Sequence, residues 1–540
     1  MGHQLITSTK NEDQKKAFTQ SLLNDIHAFE QMLNSNLFEN DCIRIGAEQE
    51  LVIVGKDWMP FAGYQYLLNE AKDPDFTTEL GRFNLEINLP PFQFEKSALR
   101  EMENLLALKL KKLRSIAQKN DSEILLTGIL PTIHWDHLKF DWMTPNPRYE
   151  ELNNLMKSKR ASNFEIDIRG LDELKAAHPN ILFEACNTSF QVHLQIPQDK
   201  FAERYNWAQL IAGPVLAASC NSPLLMSKRL WSETRIALFQ QSIDTRNSNY
   251  LKREIEPRVS FGRKWIKESV LELYQENVAH YNLLIAPKKK ENSVTTLENG
   301  GIPKLPALCI HNGTVYSWNR ACYGISDNGK PHLRIENRYL PAGPTIIDEM
   351  ANAAFWLGLM MGMPNKYKRL FEKGDFDSTR QNFYRAAQFG IDATMKWFNK
   401  TIPVQKLILD QLLPMAKEGL DQMNIDIEDS ERYLKVIEER VKTKQTGSKW
   451  TQKNFTLLLE KSTKFEATTS ITRALTKKCW SDEPVHTWEK LEVDLGDDHK
   501  HFYTVRHLMK TDIVTLQEDD ILDLAINLMV WKNIRYVMVE

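Results

Sequence analysis

The chain reads as an α+β protein built on an antiparallel sheet, with helices packed on one side and a polar face left open. Two observations predict this. Four separated segments before Pro344 alternate polar and apolar residues with period two, and each gathers charged or amide side chains on one face. The region after Thr345 follows helical periodicity instead, with examples at residues 346–361, 378–399 and 430–442. An antiparallel sheet that buries one face and leaves the other polar accounts for the first pattern.

The elements follow in order. Residues 22–37 have the pattern of an amphipathic helix. The first strand runs through Arg44-Ile-Gly-Ala-Glu48-Gln-Glu50-Leu-Val, where Glu48 and Glu50 point one way and Ile43, Ile45, Leu51 and Ile53 the other. The second, residues 82–89, sets Arg82, Asn84, Glu86 and Asn88 against Phe83, Leu85, Ile87 and Leu89, with Glu79 at its entry. A helix follows Ser97, a candidate N-cap, with Leu99, Met102, Leu106, Leu110, Leu113 and Ala117 on one stripe. The third strand aligns Gln191, His193 and Gln195. The fourth aligns His332, Arg334, Glu336 and Arg338. Residues 442–453 are polar around Gly447 and read as a loop. Residues 480–500 are charged, contain Pro484 and Gly496, and read as linker.

Composition bounds the function. At 540 residues the chain is long for one domain, given a prior of ~150 residues per domain, so one large unit and a smaller one are expected. A net charge of −2 gives no global basic field for nucleic acid or an anionic membrane. No apolar run approaches the ~20 residues of a membrane span, and residues 1–16 carry no apolar signal core. The six cysteines, Cys42, Cys186, Cys220, Cys309, Cys322 and Cys479, form no CxxC pair. Reduced thiols in a cytoplasmic protein are expected, rather than zinc or dithiol chemistry.

The four strands carry the chemistry if they are neighbours. Glu48, Glu50, Glu79, Glu86 and Glu336 would then share one basin, and so many carboxylates repel unless cations neutralise them. Hard divalent ions prefer oxygen ligands, and Mg²⁺ works between carboxylates and substrate phosphates. Arg334 and Arg338 would contact phosphoryl oxygens or a substrate carboxylate. Period-two alternation does not itself make strands adjacent. Solvated faces of separate strands, or a two-metal hydrolase or nuclease, fit the same pattern.

These segments resemble the glutamate–cysteine ligase superfamily, in particular its type 2 branch of carboxylate–amine ligases. The resemblance rests on Gly46-Ala-Glu48-Gln-Glu50, Glu79-Leu-Gly-Arg-Phe-Asn-Leu-Glu86, Gln191-Val-His193, Asn221-Ser-Pro223 followed by Arg235, and Arg334-Ile-Glu336-Asn-Arg338, in that order. It covers roughly residues 38–400. It implies a curved antiparallel sheet surrounded by helices, of the glutamine-synthetase and glutamate–cysteine-ligase type, with the active site in its concavity. It implies ATP-driven phosphorylation of a carboxylate, glutamate in the best-known members, and displacement of phosphate by an amine. Carried over residue by residue, it makes Glu48, Glu50, Glu79, Glu86, His193 and Glu336 metal-site members. Arg338 and Arg235 become catalytic candidates. Arg258, Arg263, Arg334 and Gln191 become candidates for nucleotide or substrate contact. The segment after Arg338, Tyr-Leu-Pro-Ala-Gly-Pro, lacks the acidic residue that many relatives carry there, so the amine pocket is expected to differ and cysteine is not assumed as acceptor.

The tail, from Thr504-Val-Arg-His-Leu-Met509 through Asp519, Asp520 and Ala525 to Val537-Met-Val539, resembles half of a CBS domain, the type named after cystathionine β-synthase. Such modules bind adenosine-containing ligands in pairs, which implies pairing with another copy and a possible homo-oligomer. The expected organisation is a ligase-like unit over 1–465, a linker over 466–500 and a partial CBS domain over 501–540. Three functions remain at this point: the ligase, a metal-dependent phosphohydrolase, and a silent adenine-nucleotide sensor.

Overall fold

The four alternating segments fold as consecutive neighbours in one antiparallel sheet. The computed structural model describes residues 6–8, 12–246, 255–287, 291–491 and 513–539. Its main sheet contains β1 (Arg44–Gly55), β2 (Phe76–Thr78), β3 (Asn84–Asn88), β4 (Phe92–Gln93), β5 (Ser122–Leu125), β6 (Phe190–Gln195), β7 (Asn319–Ile325) and β8 (Pro331–Asn337). The order is β7-β8-β6-β1-β3-β2, and β4 and β5 pair with β1. Every pairing in this sheet is antiparallel.

Alternation decides which face is buried. Along β1, Ile45, Ala47, Gln49 and Leu51 are buried while Arg44, Gly46, Glu48 and Glu50 are half-buried. The apolar face packs on α1 (Ala98–Lys119), α2 (Phe201–Ser219) and α3 (Ile346–Met361); α4 (Phe376–Phe389) packs on α2, and α5 (Leu413–Gln422) and α6 (Ile427–Thr443) pack on α3, in a continuous core. The stripe on α1 is the expected one: Leu99, Met102, Leu106, Leu110 and Leu113 are fully buried. Thr345 caps α3, its Oγ1 accepting from Asp348 N at 3.2 Å.

Several expectations need correction. Ser97 does not cap α1, because its hydroxyl donates to Glu101 Oε1 at 2.6 Å. The helix expected over 378–399 ends at Phe389, where Gly390 takes φ +55, and a hairpin of Thr394–Trp397 with Lys400–Pro403 follows. The loop expected over 442–453 shrinks to a short turn after Thr443, since α7 (Gly447–Leu459) begins at Gly447 under a Thr446 cap. The segment expected as linker from 466 lies inside α8 (Lys464–Lys478), whose Ile471 and Leu475 are buried. The chain stays on the body beyond it. Trp480 Nε1 donates to Ile124 O at 3.2 Å, and Trp488 packs edge-on against Trp450 at 5.1 Å. Apolar surface buried this way holds a segment that its charge alone would leave in solvent. Strand β7 was not read from the sequence. It forms a hairpin with β8 through a turn in which Gly329 takes φ +80.

The tail contains β9 (Thr515–Leu516) and β10 (Met538–Val539), paired in parallel around α9 (Leu522–Lys532). Ile521, Leu522, Ile526, Val530 and Trp531 are exposed on it. The start of the CBS-like motif, residues 504–509, lies outside the described residues.

Candidate active site

Strand register turns the four polar faces into a grid. Arg320 on β7 stands opposite Glu336 on β8, Glu336 opposite His193 on β6, and His193 opposite Gly46 on β1. In the next row Gln191 faces Glu48, and Glu48 faces Asn88. In the row beyond, Glu50 faces Glu86, and Glu86 faces Thr77 on β2. Glu79 follows the last residue of β2. A Cβ added to Gly46 would meet nothing within 4 Å, so the floor of the basin is open beside His193.

Two carboxylate groups result. Donor atoms of Glu50, Glu79 and Glu86 lie within 4.8 Å of one another, and so do those of Glu48, His193 and Glu336. Their electrostatics differ. Burial, then the Glu86 and Glu50 charges, raises the Glu79 carboxyl well above its usual range. Burial, then Glu48 and Glu50, pushes Glu86 up to about 8. Glu50 is also raised by burial, against the opposing pull of Arg338, while accepting from Ser189 N at 2.6 Å and Gln191 Nε2 at 3.0 Å. Glu336 goes the other way. Burial disfavours its charge, but Arg320 and Arg338 outweigh burial and hold it well below the usual range.

The arginines divide into those at the basin and those away from it. Arg320 Nη2 lies 2.9 Å from both Glu336 oxygens, with Nε 3.2 Å from Oε2. Arg338 Nη1 donates to Gln191 Oε1 at 2.6 Å and to Glu336 Oε1. Arg334 Nε donates to His193 Nδ1 at 3.1 Å. That bond places the neutral imidazole proton on Nε2, which faces Glu48 Oε1 at 3.4 Å. For His193 Nε2 to ligate a cation, the proton must move to Nδ1 and Arg334 must turn away.

The three remaining arginines stand elsewhere. Arg235 is 2% exposed, with Nε on Glu233 Oε1 at 2.7 Å and Nη2 on the Tyr339 carbonyl at 2.6 Å. It acts on Glu50 through its field. Arg258 is buried and donates to the carbonyls of Thr314 and Asn282. Arg263 lies 3.7 Å from Glu276, in a cleft also lined by Arg320, Asn319 and Gln209.

Sequence reasoning missed Arg320, Cys322 and Glu184. Cys322 Sγ lies 3.1 Å from Glu336 Oε2. The signal for β7 was present: Arg320 and Cys322 alternate with Ala321 and Tyr323, and Asn328-Gly329 marks the turn into β8. Glu184 sits on a turn, where no periodicity announces it.

The donor set fits Mg²⁺. It is almost wholly carboxylate oxygen, and Glu79 and Glu86 resist ionisation without a neighbouring cation.

Comparison with known proteins identifies the family and the fold. The family model described as glutamate-cysteine ligase family 2 matches residues 44–456. No curated protein sequence matches the chain. Among solved structures, the chain is similar to the glutamate–cysteine ligase from Francisella tularensis in complex with AMP, at 14% identity and a TM-score of 0.51, covering 83% of this chain and 90% of that one. A bifunctional glutathione synthetase from Pasteurella multocida matches at 12% identity and a TM-score of 0.45, covering 85% of this chain and 55% of that one. The first likeness supports the fold. The family match includes every residue of the basin, from Glu48 to Arg338, and the chain belongs to glutamate-cysteine ligase family 2.

Proposed function

We propose that this ligase joins a carboxylate, with glutamate as the acid, to an amine through an acyl phosphate, using ATP and Mg²⁺. One observation carries the reading. Two carboxylate groups and the guanidiniums of Arg320 and Arg338 share one sheet face. A carboxylate is a poor acyl donor because oxide leaves badly, and phosphorylation supplies a better leaving group. Mg²⁺ bound by Glu50, Glu79 and Glu86, and by Glu48 and Glu336, would neutralise charge on the transferring phosphoryl group. Arg338 is positioned by Gln191 and Glu336 to meet phosphoryl oxygens, and Arg320 keeps Glu336 ionised. Gln191, by bonding both Glu50 and Arg338, ties the two halves of the basin together.

The remaining assignments follow from the same reading. The catalytic unit is taken to run through Leu491, and the tail to be a partial CBS domain that pairs with a second copy and senses an adenine nucleotide. No helix among the described residues is long and apolar enough to cross a membrane. All six cysteines are free, which suits a reducing cytoplasm.

Phosphate release from ATP, measured with and without a panel of amino acids and amines, tests the function. Full turnover is expected only with both an acid and an amine. Release that needs neither would make the protein a phosphohydrolase, and nucleotide binding without release would make it a sensor.

A further inference from the structure

Strands β1, β7 and β8 bring four arginines to the main sheet, the last of them just past the end of β8. Three hold a carboxylate: Arg44 pairs with Glu39 at 2.7 Å, and Arg320 and Arg338 share Glu336. Arg334 holds none among the described residues. Its partners are two imidazoles, with Nε donating to His193 Nδ1 at 3.1 Å and Nη1 lying 3.4 Å from His332 Nε2. A Cβ on Gly324, which stands opposite His332, would fall 2.7 Å from that Nε2 and 2.9 Å from Arg334 Nη1, so the bare glycine leaves room for the pair. Arg334 is half-buried, and a guanidinium drawn out of water with no counter-charge is an incomplete site.

Strand register shows which anion completes it. Arg334 stands opposite Gln195 on β6 and Cys322 on β7, so its row of the grid holds no carboxylate. Two residues along comes Glu336, which closes the group of Glu48 and His193, and two further comes Arg338. The strand thus presents a guanidinium, a carboxylate and a second guanidinium in line, over about 13 Å at the rise of an extended chain. At the other end of the basin, the row of Glu50 and Glu86 carries a carboxylate on both strands. A polyanion whose end meets Arg338 finds a counter-charge toward Arg334 and repulsion toward Glu50 and Glu86.

We propose that Arg334 binds the α- and β-phosphates of the nucleotide and so fixes its direction in the basin. The triphosphate lies along β8, with its γ-phosphoryl group at Arg338, its α-phosphate at Arg334 and its adenosine beyond, toward the turn between β7 and β8. The proposal rests on the ligase reading and deepens it. The planar fork of Arg334 suits paired phosphate oxygens. Taking them draws it away from His193, the same movement that cation ligation by His193 requires, so nucleotide and cation favour each other's binding. The end of the basin at Glu50 and Glu86 is then left to the acid and the amine.

Calorimetric titration at saturating Mg²⁺, with ADP and with a non-hydrolysable ATP analogue, tests this direction. ADP has the phosphates assigned to Arg334 and lacks the one assigned to Arg338. Arg334→Met keeps the apolar stem and removes the charge, and should weaken both nucleotides about tenfold or more. Arg338→Met should weaken the analogue and leave ADP within about threefold of wild type. Arg334→Lys keeps the charge without the fork, and should weaken both nucleotides by a smaller factor; it carries the test if melting curves show Arg334→Met to be unfolded. Wild-type ADP affinity in a folded Arg334 variant would overturn the proposal, whether or not Mg²⁺ binding changes, since Arg334 would then do no more than clamp His193. ADP binding that depends on Arg338 instead would mean the reverse direction, and would overturn it equally. The expected binding pattern with no condensed product from acid and amine would contradict the ligase reading alone. A wild type that binds neither nucleotide would contradict both.

Discussion

Glu50 and Glu86 face each other across β1 and β3, in register and on the same face of the sheet. Like charges directly opposite one another destabilise a strand pair. A sheet that keeps such a pair at its centre gains by binding cations there. Replacing Glu86 by Gln removes half of the repulsion and one ligand. The metal-free melting temperature should rise by about 1–3 °C. The stabilisation added by Mg²⁺ should shrink, and turnover should fall about 10²-fold or more. Calorimetry and steady-state kinetics on the one variant check both signs, and unchanged kinetics would remove this basin as the active site.

The same group sets a pH dependence. The unfolded chain releases the Glu86 proton near 4.5, and the metal-free fold releases it near 8. Between those values the folded state binds more protons, so stability falls as pH rises. Glu336 has the opposite sign. Its depressed folded value contributes stability above the ordinary carboxylate range, and that contribution is lost as pH falls below it. Melting of the metal-free protein should therefore decline from pH 5 to pH 8, and the gain on adding Mg²⁺ should grow over the same window. A flat metal-free profile would contradict the assignment.

Arg320 and Arg338 hold one carboxylate from two sides, but with different duties. Lysine keeps the charge and loses the planar fork. Arg338→Lys should reduce kcat about 10²-fold, because the contact to phosphoryl oxygens is lost. Arg320→Lys should mainly weaken Mg²⁺ dependence, raising the metal concentration needed for half-maximal rate. Wild-type turnover in Arg338→Lys would end its phosphoryl role.

Arg235 makes a contrasting control. It is buried against Glu233 and the Tyr339 carbonyl. Arg235→Ala would leave Glu233 buried without its cation, and should cost about 3–5 kcal/mol of stability. Arg235→Lys should be milder in both stability and turnover than Arg338→Lys. Denaturant unfolding and kinetics on the three variants would show whether Arg235 supports the fold or touches substrate.

Removing residues 492–540 should leave condensation intact, because every basin residue lies between Glu48 and Arg338. The exposed Ile526, Val530 and Trp531 on α9 give the tail an apolar face. Light scattering on the intact and shortened proteins should show a lower oligomeric order without the tail. A folded but inactive shortened protein would show the tail to be part of the catalytic unit.

The strands were legible because period-two alternation survives in a sheet with one polar face. Glu48, Glu50, Glu86, His193 and Glu336 could be read off as face-sharing residues on that ground alone. Their adjacency was not in the alternation, and came from the order of motifs. Arg320 was missed because it is the single charged residue of its strand. Glu184 was missed because a turn has no period. Arg235 and Arg258 were legible as arginines but not as buried ones, since burial of a cation depends on Glu233, or on the carbonyls of Thr314 and Asn282, brought from distant segments. The helical tail of the body was underestimated for a related reason: α8 and Trp488 are held by tertiary burial under a charged local sequence.

The acyl phosphate is the centre of this account, and oxygen transfer tests it most directly. Glutamate carrying ¹⁸O in its side-chain carboxylate would be turned over with ATP, Mg²⁺ and an amine, and the released phosphate analysed by mass spectrometry. The account predicts that a single carboxylate ¹⁸O leaves with each phosphate formed. Phosphate released with solvent oxygen alone would contradict it.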